Sequence, residues 1–218
     1  MSIKKNVLDC AIVGCGISGI FASLYLKKGG LNNICIFEKS GGLGGRLATR
    51  RVEDGKFDHG AQYLDIETIK NVPEIISLME NNIIFDWNNS GIYASEGGMT
   101  SIAKFLASTI EVHKKFKLKS IKDVGFEMEL NFEDGKQVYS KSIIFSSPIP
   151  QTKEILNNSD LNINNQLFSQ LNNVVYDPCI VILLESNKEV GNLNKGFGND
   201  CIGGNIAWIA DNNKKTIS

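Results

Sequence analysis

LDCAIVGCGISGIFASLYLKKGG, residues 8–30, is the stretch that decides the fold class of this 218-residue chain. Its apolar run Leu8–Val13 predicts a buried strand, and a helix is predicted from Ile17 to a stop at Gly29-Gly30. The next apolar run, residues 33–38 (NICIFE), predicts a second strand. Strand, tight turn, helix and strand form a βαβ unit with a parallel, right-handed crossover. We therefore expect an α/β fold that opens with a Rossmann-like sheet.

The tight turn carries the pattern GxGxxG, with glycines at Gly14, Gly16 and Gly19, between the predicted strand and helix. The first glycine makes the turn, the second lets the backbone approach a pyrophosphate, and the third allows the helix to pack closely on the sheet. The helix N-terminus adds N–H groups and a positive dipole. Glu38 follows about 20 residues later, where a carboxylate hydrogen-bonds ribose hydroxyls and repels a 2′-phosphate. These features predict a dinucleotide site and fit FAD and NAD equally.

Charge and composition exclude several kinds of partner. The chain has 23 Lys+Arg and 24 Asp+Glu, a formal net charge of -1, so we expect no binding to nucleic acid or to an anionic membrane. No apolar run reaches the roughly 20 residues of a membrane span. The five cysteines are scattered without metal-ligand spacing, which predicts no metal site and a reducing, cytoplasmic location. Lys4 and Lys5 resemble the start of a signal peptide, but Asp9 and the glycines interrupt the apolar region that follows.

Downstream patterns predict the remaining elements. Residues 41–51 (GGLGGRLATRR) are too rich in glycine and arginine for a regular element and predict a loop. Alternating apolar residues from Phe126 to Phe132, a turn at Asp134-Gly135 and a return strand to Phe145 predict an antiparallel β-meander that ends at Pro148. The other predicted elements are helices from Pro73 to Met79, after a Thr100 or Ser101 cap and near Leu167, and a strand from Cys179 to Leu184.

Two motifs resemble a known flavoprotein family. Glu38-Lys39-Ser40, leading to Gly44-Gly45-Arg46, resembles the ribose acid and the following GGR motif of flavin-containing amine oxidases. The segment GGRLATRR, followed by residues 57–63 (FDHGAQY), closely resembles the renalase branch of that family. The resemblance continues through Gly98-Met99 and the meander into residues 206–215 (IAWIADNNKK). It implies that the dinucleotide is FAD.

The same resemblance implies which residues contact FAD. Ser18, Arg46, Gln62 and Tyr63 are expected to contact the cofactor, and Leu118 to offer backbone contacts on the adenine side. The chemistry of Arg46 agrees, because a guanidinium pairs well with pyrophosphate oxygens. The full set of predicted cofactor-binding residues is Gly14, Gly16, Ile17, Ser18, Gly19, Glu38, Lys39, Gly45, Arg46, Gln62, Tyr63 and Leu118.

No catalytic side chain is assigned from the sequence. His59 and His113 are the only histidines, and a lone histidine is usually structural. Tyr63 and Trp87 fit the lining of a flavin pocket and a hydrophobic core equally well. A bound flavin supplies the hydride chemistry itself, so few protein acids or bases are needed.

The resemblance implies an FAD-dependent oxidoreductase in which a substrate hydride passes to FAD and then to molecular oxygen, giving hydrogen peroxide. The implied substrate is a reduced nicotinamide, such as a dihydropyridine isomer of NAD(P)H, or an amine, as in the wider family. Two other functions stay open at this point. One is a non-catalytic nucleotide-binding remnant. The other is an NAD-dependent dehydrogenase, which the GGR motif and the β-meander disfavour.

The resemblance also predicts an interrupted order of domains. Residues 1–65 and 101–155 are expected to form the FAD-binding domain, the second part with the β-meander. Residues 66–100 and 156–218 are expected to form a partial α+β substrate domain. Relatives return to the nucleotide domain near their C-terminus, and the resemblance implies that the corresponding segment is absent from residues 1–218. The chain is then expected to be a fragment, a truncated product, or one that another chain completes. We therefore expect weak retention of FAD, and self-association through the apolar run 179–184.

Overall fold

The structure is a computed structural model that describes residues 7–53, 55–67, 69–186, 197–202 and 204–215. The chain divides into two compact units. The first unit is Met1–Gly45 with Thr109–Cys179, and the second is Arg46–Ser108 with Ile180–Ser218. The functions expected for the four segments of the sequence stay predictions.

The described helices and strands follow one another in chain order. The helices are α1 (Ile17–Lys28), α2 (Pro73–Glu80), α3 (Thr100–Leu106), α4 (Ile149–Asn157) and α5 (Asn165–Asn172). The strands are β1 (Val7–Leu8), β2 (Cys10–Val13), β3 (Ile34–Glu38), β4 (Thr49–Arg51), β5 (Lys56–Asp58), β6 (Phe85–Asp86), β7 (Tyr93–Ala94), β8 (Val112–Lys114), β9 (Leu118–Asp123), β10 (Met128–Phe132), β11 (Gln137–Ser140), β12 (Ile143–Phe145), β13 (Phe197–Ile202) and β14 (Ile206–Ala210).

A parallel four-stranded sheet, in the order β12-β2-β3-β8, is the base of the first unit. β2 and β3 run parallel with Ile12 opposite Ile36, and every residue of both strands is buried. Strands buried on both faces are apolar throughout, which is why their sequence predicted them. α1 joins these strands and ends just before Gly29. The predicted α/β fold with a Rossmann-like parallel sheet is therefore confirmed.

A second sheet of the first unit, in the order β1-β11-β10-β9, contains the predicted meander. β9, β10 and β11 pair antiparallel, and β1 adds to β11 in parallel. Apolar residues of the two sheets share one core. Its buried members include Ala11, Val13, Cys35, Phe37, Leu118, Ile121, Leu130 and Phe132.

The chain passes between these two sheets at two places where the sequence predicted continuous strands. The predicted strand Leu8–Val13 divides at Asp9, because Leu8 pairs with β11 whereas β2 pairs with β12. The predicted return strand divides between β11 and β12. Polar contacts hold the crossing: Lys141 Nζ lies 2.7 Å from the Asp9 carboxylate, and the Ser142 hydroxyl donates to the Asp9 carbonyl at 2.6 Å. A pattern of apolar residues does not reveal such a change of partner.

The start of the meander hairpin also differs from the prediction. Phe126 was predicted to lie in the strand, but it is fully exposed and β10 begins at Met128. Gly125 has a φ of +101°, and its N–H donates to the Asp123 carboxylate at 2.8 Å. These contacts close a tight turn, which leaves Phe126 outside the strand pairing.

The second unit contains two short hairpins, β4-β5 and β6-β7, the hairpin β13-β14, and the helices α2 and α3. α2 has Pro73 in its first turn, as predicted. The prediction of a loop over residues 41–51 is wrong in its second half, which forms a 3-10 turn at Gly45–Leu47 and the strand β4. The hydroxyl of Thr49 in β4 donates to the Asp58 carboxylate at 2.6 Å, which helps to hold the β4-β5 pair.

Helix α3 does not have the predicted cap. Met99 is the N-cap residue, without a side-chain cap hydrogen bond, and Thr100 is already helical. The Thr100 hydroxyl instead donates to the Leu47 carbonyl at 3.1 Å and accepts from the Thr49 N–H at 2.7 Å. The hydroxyl therefore ties α3 to the β4 segment rather than to its own first turn.

The predicted and observed elements agree least well in the last third of the chain. α5 confirms the helix predicted near Leu167, but the strand predicted from Cys179 to Leu184 does not form. Its residues have no regular structure and are exposed, Ile180 by 90%. The hairpin β13-β14 was not predicted, although β14 (IAWIA) is apolar, because the residues around it are polar and rich in glycine and asparagine. Among the described residues, no helix combines the length and apolar character needed to cross a bilayer.

Candidate functional site

The turn between β2 and α1 is built around glycines whose Cβ positions are occupied by other atoms. Gly14 has a φ of +104°, and a Cβ there would lie 2.9 Å from Ser146 Oγ. A Cβ on Gly19 would lie only 2.1 Å from the Gly14 carbonyl oxygen. The Ser146 hydroxyl, at the end of β12, reaches the Gly14 carbonyl oxygen at 2.8 Å. The tight turn predicted for Gly14 and the close packing predicted for Gly19 are thus confirmed.

Gly16 differs from both neighbours, because a Cβ placed on it meets no atom within 4 Å. The residue is the N-cap of α1, which has neither a side-chain cap hydrogen bond nor an acidic residue in its first turn. The positive end of the helix dipole therefore faces an open space beside a glycine backbone. An anionic group such as a pyrophosphate fits this space, since a helix N-terminus offers it N–H donors.

The Glu38 carboxylate is hydrogen-bonded to the backbone of the glycine turn. The carboxylate is buried, and Oε2 accepts from the backbone N–H of Cys15 at 2.8 Å. Oε1 accepts from the backbone N–H of Ser40 at 2.8 Å and from its hydroxyl at 2.7 Å. A carboxylate predicted to bind ribose thus already anchors the turn. Each carboxylate oxygen can accept more than one hydrogen bond, so the two roles are compatible.

The segment after β3 closes over the same turn. Gly44 forms a single parallel bridge with Gly16, and its N–H donates to the Cys15 carbonyl at 2.9 Å. A Cβ on Gly45 would lie 3.2 Å from Gly16 Cα. These contacts explain Gly44 and Gly45, whose backbone lies directly against the dinucleotide turn.

The other predicted residues of the first unit surround this turn to different degrees. Ile17 is half-buried and Ser18 is exposed in the first turn of α1. Lys39 is exposed directly after Glu38. Leu118 is buried at the start of β9, opposite Phe132 in β10. Nucleotide contacts for all four stay predictions.

Arg46, Gln62 and Tyr63 belong to the second unit. Arg46 is exposed, and its carbonyl accepts from the Ala61 N–H at 2.8 Å. A Cβ on Gly60 would lie 1.9 Å from that carbonyl oxygen. The GGR and GAQY motifs are therefore in direct backbone contact, although about 15 residues of chain separate them. Tyr63 packs on Trp208, with ring centroids 5.2 Å apart.

A buried ion pair in the second unit was missed by the sequence analysis. Lys215 Nζ lies 2.8 Å from Asp58 Oδ2, and the two side chains are 4% and 1% exposed. Lys215 Nζ also donates to Gln62 Oε1 at 3.2 Å, and the Gln62 amide donates to the Asp58 carbonyl. Gln62, predicted as an FAD contact, thus also joins this cluster. The family resemblance covers residues 206–215, but nothing within a run of asparagine and lysine marks the Lys215 side chain as buried.

Burial lowers the pKa of Lys215, and the charge and hydrogen bond of Asp58 oppose this shift. The Asp58 carboxylate also accepts from the Met99 N–H at 2.9 Å. Trp87 completes the cluster: it is fully buried, Lys215 Nζ lies 4.9 Å from its ring centroid, and its indole N–H donates to the Lys214 carbonyl. For Trp87 the core interpretation of the sequence is therefore correct.

Cys35, Glu111 and His113 place one donor atom each within 4.8 Å of one another, on the adjacent strands β3 and β8 and the residue before β8. Burial, with a smaller effect of the Glu111 charge, raises the pKa of the Cys35 thiol to about 12. The free thiol is therefore protonated at neutral pH. Exposed acidic groups are common in such clusters without an ion, so this group by itself assigns no metal site.

Comparison with known proteins agrees with the geometry of the turn. Residues 12–78 match the family model of the NAD(P)-binding Rossmann-like domain. Over 59 residues, 27% of this chain, the sequence is 42% identical to an L-amino-acid oxidase of Neurospora crassa, of which the match covers 8%. Over 142 residues, 65% of this chain, it is 28% identical to a thioredoxin reductase of Helicobacter pylori, of which the match covers 35%. The chain therefore spans only a small part of each relative.

Solved structures support the fold. A putrescine oxidase bound to putrescine superposes with a TM-score of 0.61 at 12% identity, over 76% of this chain and 63% of that one. A fatty acid isomerase from P. acnes superposes with a TM-score of 0.53 at 10% identity, over 73% of this chain and 63% of that one. At such low identity these likenesses show a shared fold. The chain spans 63% of either structure.

Proposed function

We propose that this chain is part of an FAD-dependent oxidoreductase of the renalase type, and that the turn between β2 and α1 binds the ADP half of FAD. The observation that carries the proposal is the open space at Gly16, at the uncapped N-terminus of α1, next to the buried Glu38 carboxylate. A pyrophosphate is stabilised by the positive end of a helix dipole, whereas ribose hydroxyls need a hydrogen-bond acceptor. The turn offers both. The GGR and GAQY motifs favour FAD over NAD.

Bound FAD would supply hydride transfer from a reduced nicotinamide isomer and reoxidation by molecular oxygen, with hydrogen peroxide as the product. The role of the described residues is to bind FAD and to orient it. Gly16 admits the pyrophosphate, Glu38 fixes the turn, and the contact of Arg46 with residues 60–61 holds the GGR segment in place.

Titration of the purified protein with FAD, ADP and NAD, followed by calorimetry and by the visible absorption of flavin, tests the proposal. We expect FAD and ADP to bind and Gly16→Val to lose both, because a side chain there fills the space for the pyrophosphate. Gly42→Val is the matched control, since a Cβ on Gly42 also meets no atom within 4 Å. Binding of NAD without FAD would support the dehydrogenase alternative, and binding of nucleotide without turnover would support a nucleotide-binding remnant. Binding of none of the three would contradict the proposal.

Turnover separates the substrate classes. Peroxide formation is measured with reduced nicotinamide isomers and, in parallel, with amines such as putrescine. The renalase-type proposal requires peroxide with the dihydropyridines. Peroxide with amines alone would instead support an amine oxidase-like enzyme.

A further inference from the structure

The second unit contains a cavity of about 520 Å³ that the proposed flavin function does not use. The described residues that line it come from three segments: Arg51, Val52, Glu53, Gly55, Lys56 and Asp58; Ser95, Glu96 and Gly98; and Asn212, Asn213 and Lys215. Its volume is in the range of about 300–1,000 Å³ that is typical of small-molecule sites. The cavity is large enough for a ligand of one ring with a polar substituent.

Its buried part contains the Asp58–Lys215 ion pair. Both Asp58 oxygens are already in use, since Oδ1 accepts from the Thr49 hydroxyl and the Met99 N–H, and Oδ2 accepts from Lys215. The Lys215 ammonium has three N–H groups, and Asp58 and Gln62 accept two of them. Lys215 Nζ also lies 4.9 Å from the ring centroid of Trp87, but among the described residues no hydrogen-bond acceptor is assigned to its third N–H group. Of the two buried charged groups, Lys215 is therefore the one with a donor left for a ligand.

The charge of this ion pair decides which ligand fits the cavity. Asp58 neutralises Lys215, so a carboxylate placed there would leave a net negative charge in a site removed from water, which is costly. An ammonium group would be repelled by Lys215. An uncharged oxygen acceptor meets the free N–H without either cost. The exposed part of the lining has no dominant sign, with Arg51 and Lys56 beside Glu53 and Glu96.

We propose that this cavity binds a small uncharged molecule through a carbonyl oxygen, such as that of a carboxamide, which accepts a hydrogen bond from Lys215 Nζ. The site lies entirely in the second unit and needs no nucleotide. Gln62, which accepts from Lys215, is shared with the predicted FAD contacts, but the probes below are tested without added nucleotide, so this proposal is tested separately from the flavin proposal.

Three probes of similar shape and different charge test this: benzamide, benzoate and benzylamine. Binding to the wild-type protein is measured by ligand-detected NMR, with the flavin content determined beforehand. One hydrogen bond from a charged donor corresponds to a preference of about tenfold or more, so benzamide should bind at least tenfold more tightly than the other two. Absence of benzamide binding, or tighter binding of benzoate or benzylamine, would overturn the proposal.

The test variant is the double substitution Asp58→Asn with Lys215→Met, which removes both charges together and leaves no buried carboxylate unpaired. It should lose benzamide binding by about tenfold. Lys70→Met is the control, because Lys70 is an exposed lysine of the same unit that pairs with Glu67 at 2.9 Å. Equal affinity in the folded double variant would overturn the role of Lys215.

A second measurement on the wild-type protein keeps the proposal testable if the double variant does not fold. In a two-dimensional amide NMR spectrum, benzamide should shift the backbone signals of Ser95, Gly98 and Asn213, which line the cavity. Shifts confined to signals of the first unit would show that benzamide binds elsewhere and would contradict the assignment.

Discussion

Replacing Glu38 with alanine should lower the free energy of unfolding by about 2.5–4 kcal/mol. The buried N–H of Cys15 would lose the carboxylate that accepts it at 2.8 Å, and a buried donor without a charged partner costs about 1.5–3 kcal/mol. The two bonds from Ser40, an exposed residue, add about 0.5 kcal/mol each because water can replace the carboxylate. Glu38→Gln keeps one acceptor oxygen and should lose about half as much.

Urea unfolding monitored by circular dichroism measures these differences. Ser40→Ala is the control, because it removes one exposed donor and should change the free energy of unfolding by less than about 1 kcal/mol. If Glu38→Ala is within about 0.5 kcal/mol of the wild type, the carboxylate does not anchor the turn and the reasoning is refuted. If Glu38→Gln keeps most of the stability and loses FAD affinity, the ribose role is separated from the anchoring role.

Three further predictions follow from contacts described above. Gly19→Ala should destabilise the protein by about 1–3 kcal/mol, because its Cβ would lie 2.1 Å from the Gly14 carbonyl oxygen, and Gly16→Ala should destabilise it by less. Urea unfolding measures both variants, and a larger loss in Gly16→Ala would contradict the packing at Gly19. Because burial lowers the pKa of Lys215, the folded state binds fewer protons, so this lysine makes stability rise with pH between its folded and unfolded pKa values. In Lys215→Met, the free energy of unfolding measured at alkaline pH should no longer show this rise. A pH dependence equal to that of the wild type would contradict the prediction. A thiol reagent should label Cys179, which is exposed, in the native protein and Cys35 only after unfolding; mass spectrometry of labelled peptides checks both.

The first strand, the glycine turn and α1 were predictable because their signals are local. An apolar run, a GxGxxG turn and a glycine stop lie within 23 consecutive residues, 8–30, and each constrains the backbone directly. The Glu38 contact was predictable only in part. The sequence places an acidic residue near the turn, but it does not show that the Cys15 N–H takes up one of its oxygens.

Other features were not predictable because they depend on tertiary partners. The division of the first strand at Asp9 follows from pairing with β11 and β12, more than 130 residues away along the chain. The same holds for Lys215, whose burial follows from Asp58, 157 residues earlier. The strand expected at Cys179–Leu184 is an error of a different kind: its apolar residues favour a strand, but no described neighbour pairs with it.

The ion pair between Asp58 and Lys215 has a consequence for biosynthesis. The first unit is interrupted by residues of the second, and the second needs both its early and its late segments. During translation, all segments of the first unit have been synthesised once residue 179 has left the ribosome. The ion pair of Asp58 can form only after Lys215 has also been synthesised. Closing so long a loop is slow, so we expect this pair to form after the folding transition state. Weakening it should then accelerate unfolding and leave the refolding rate nearly unchanged.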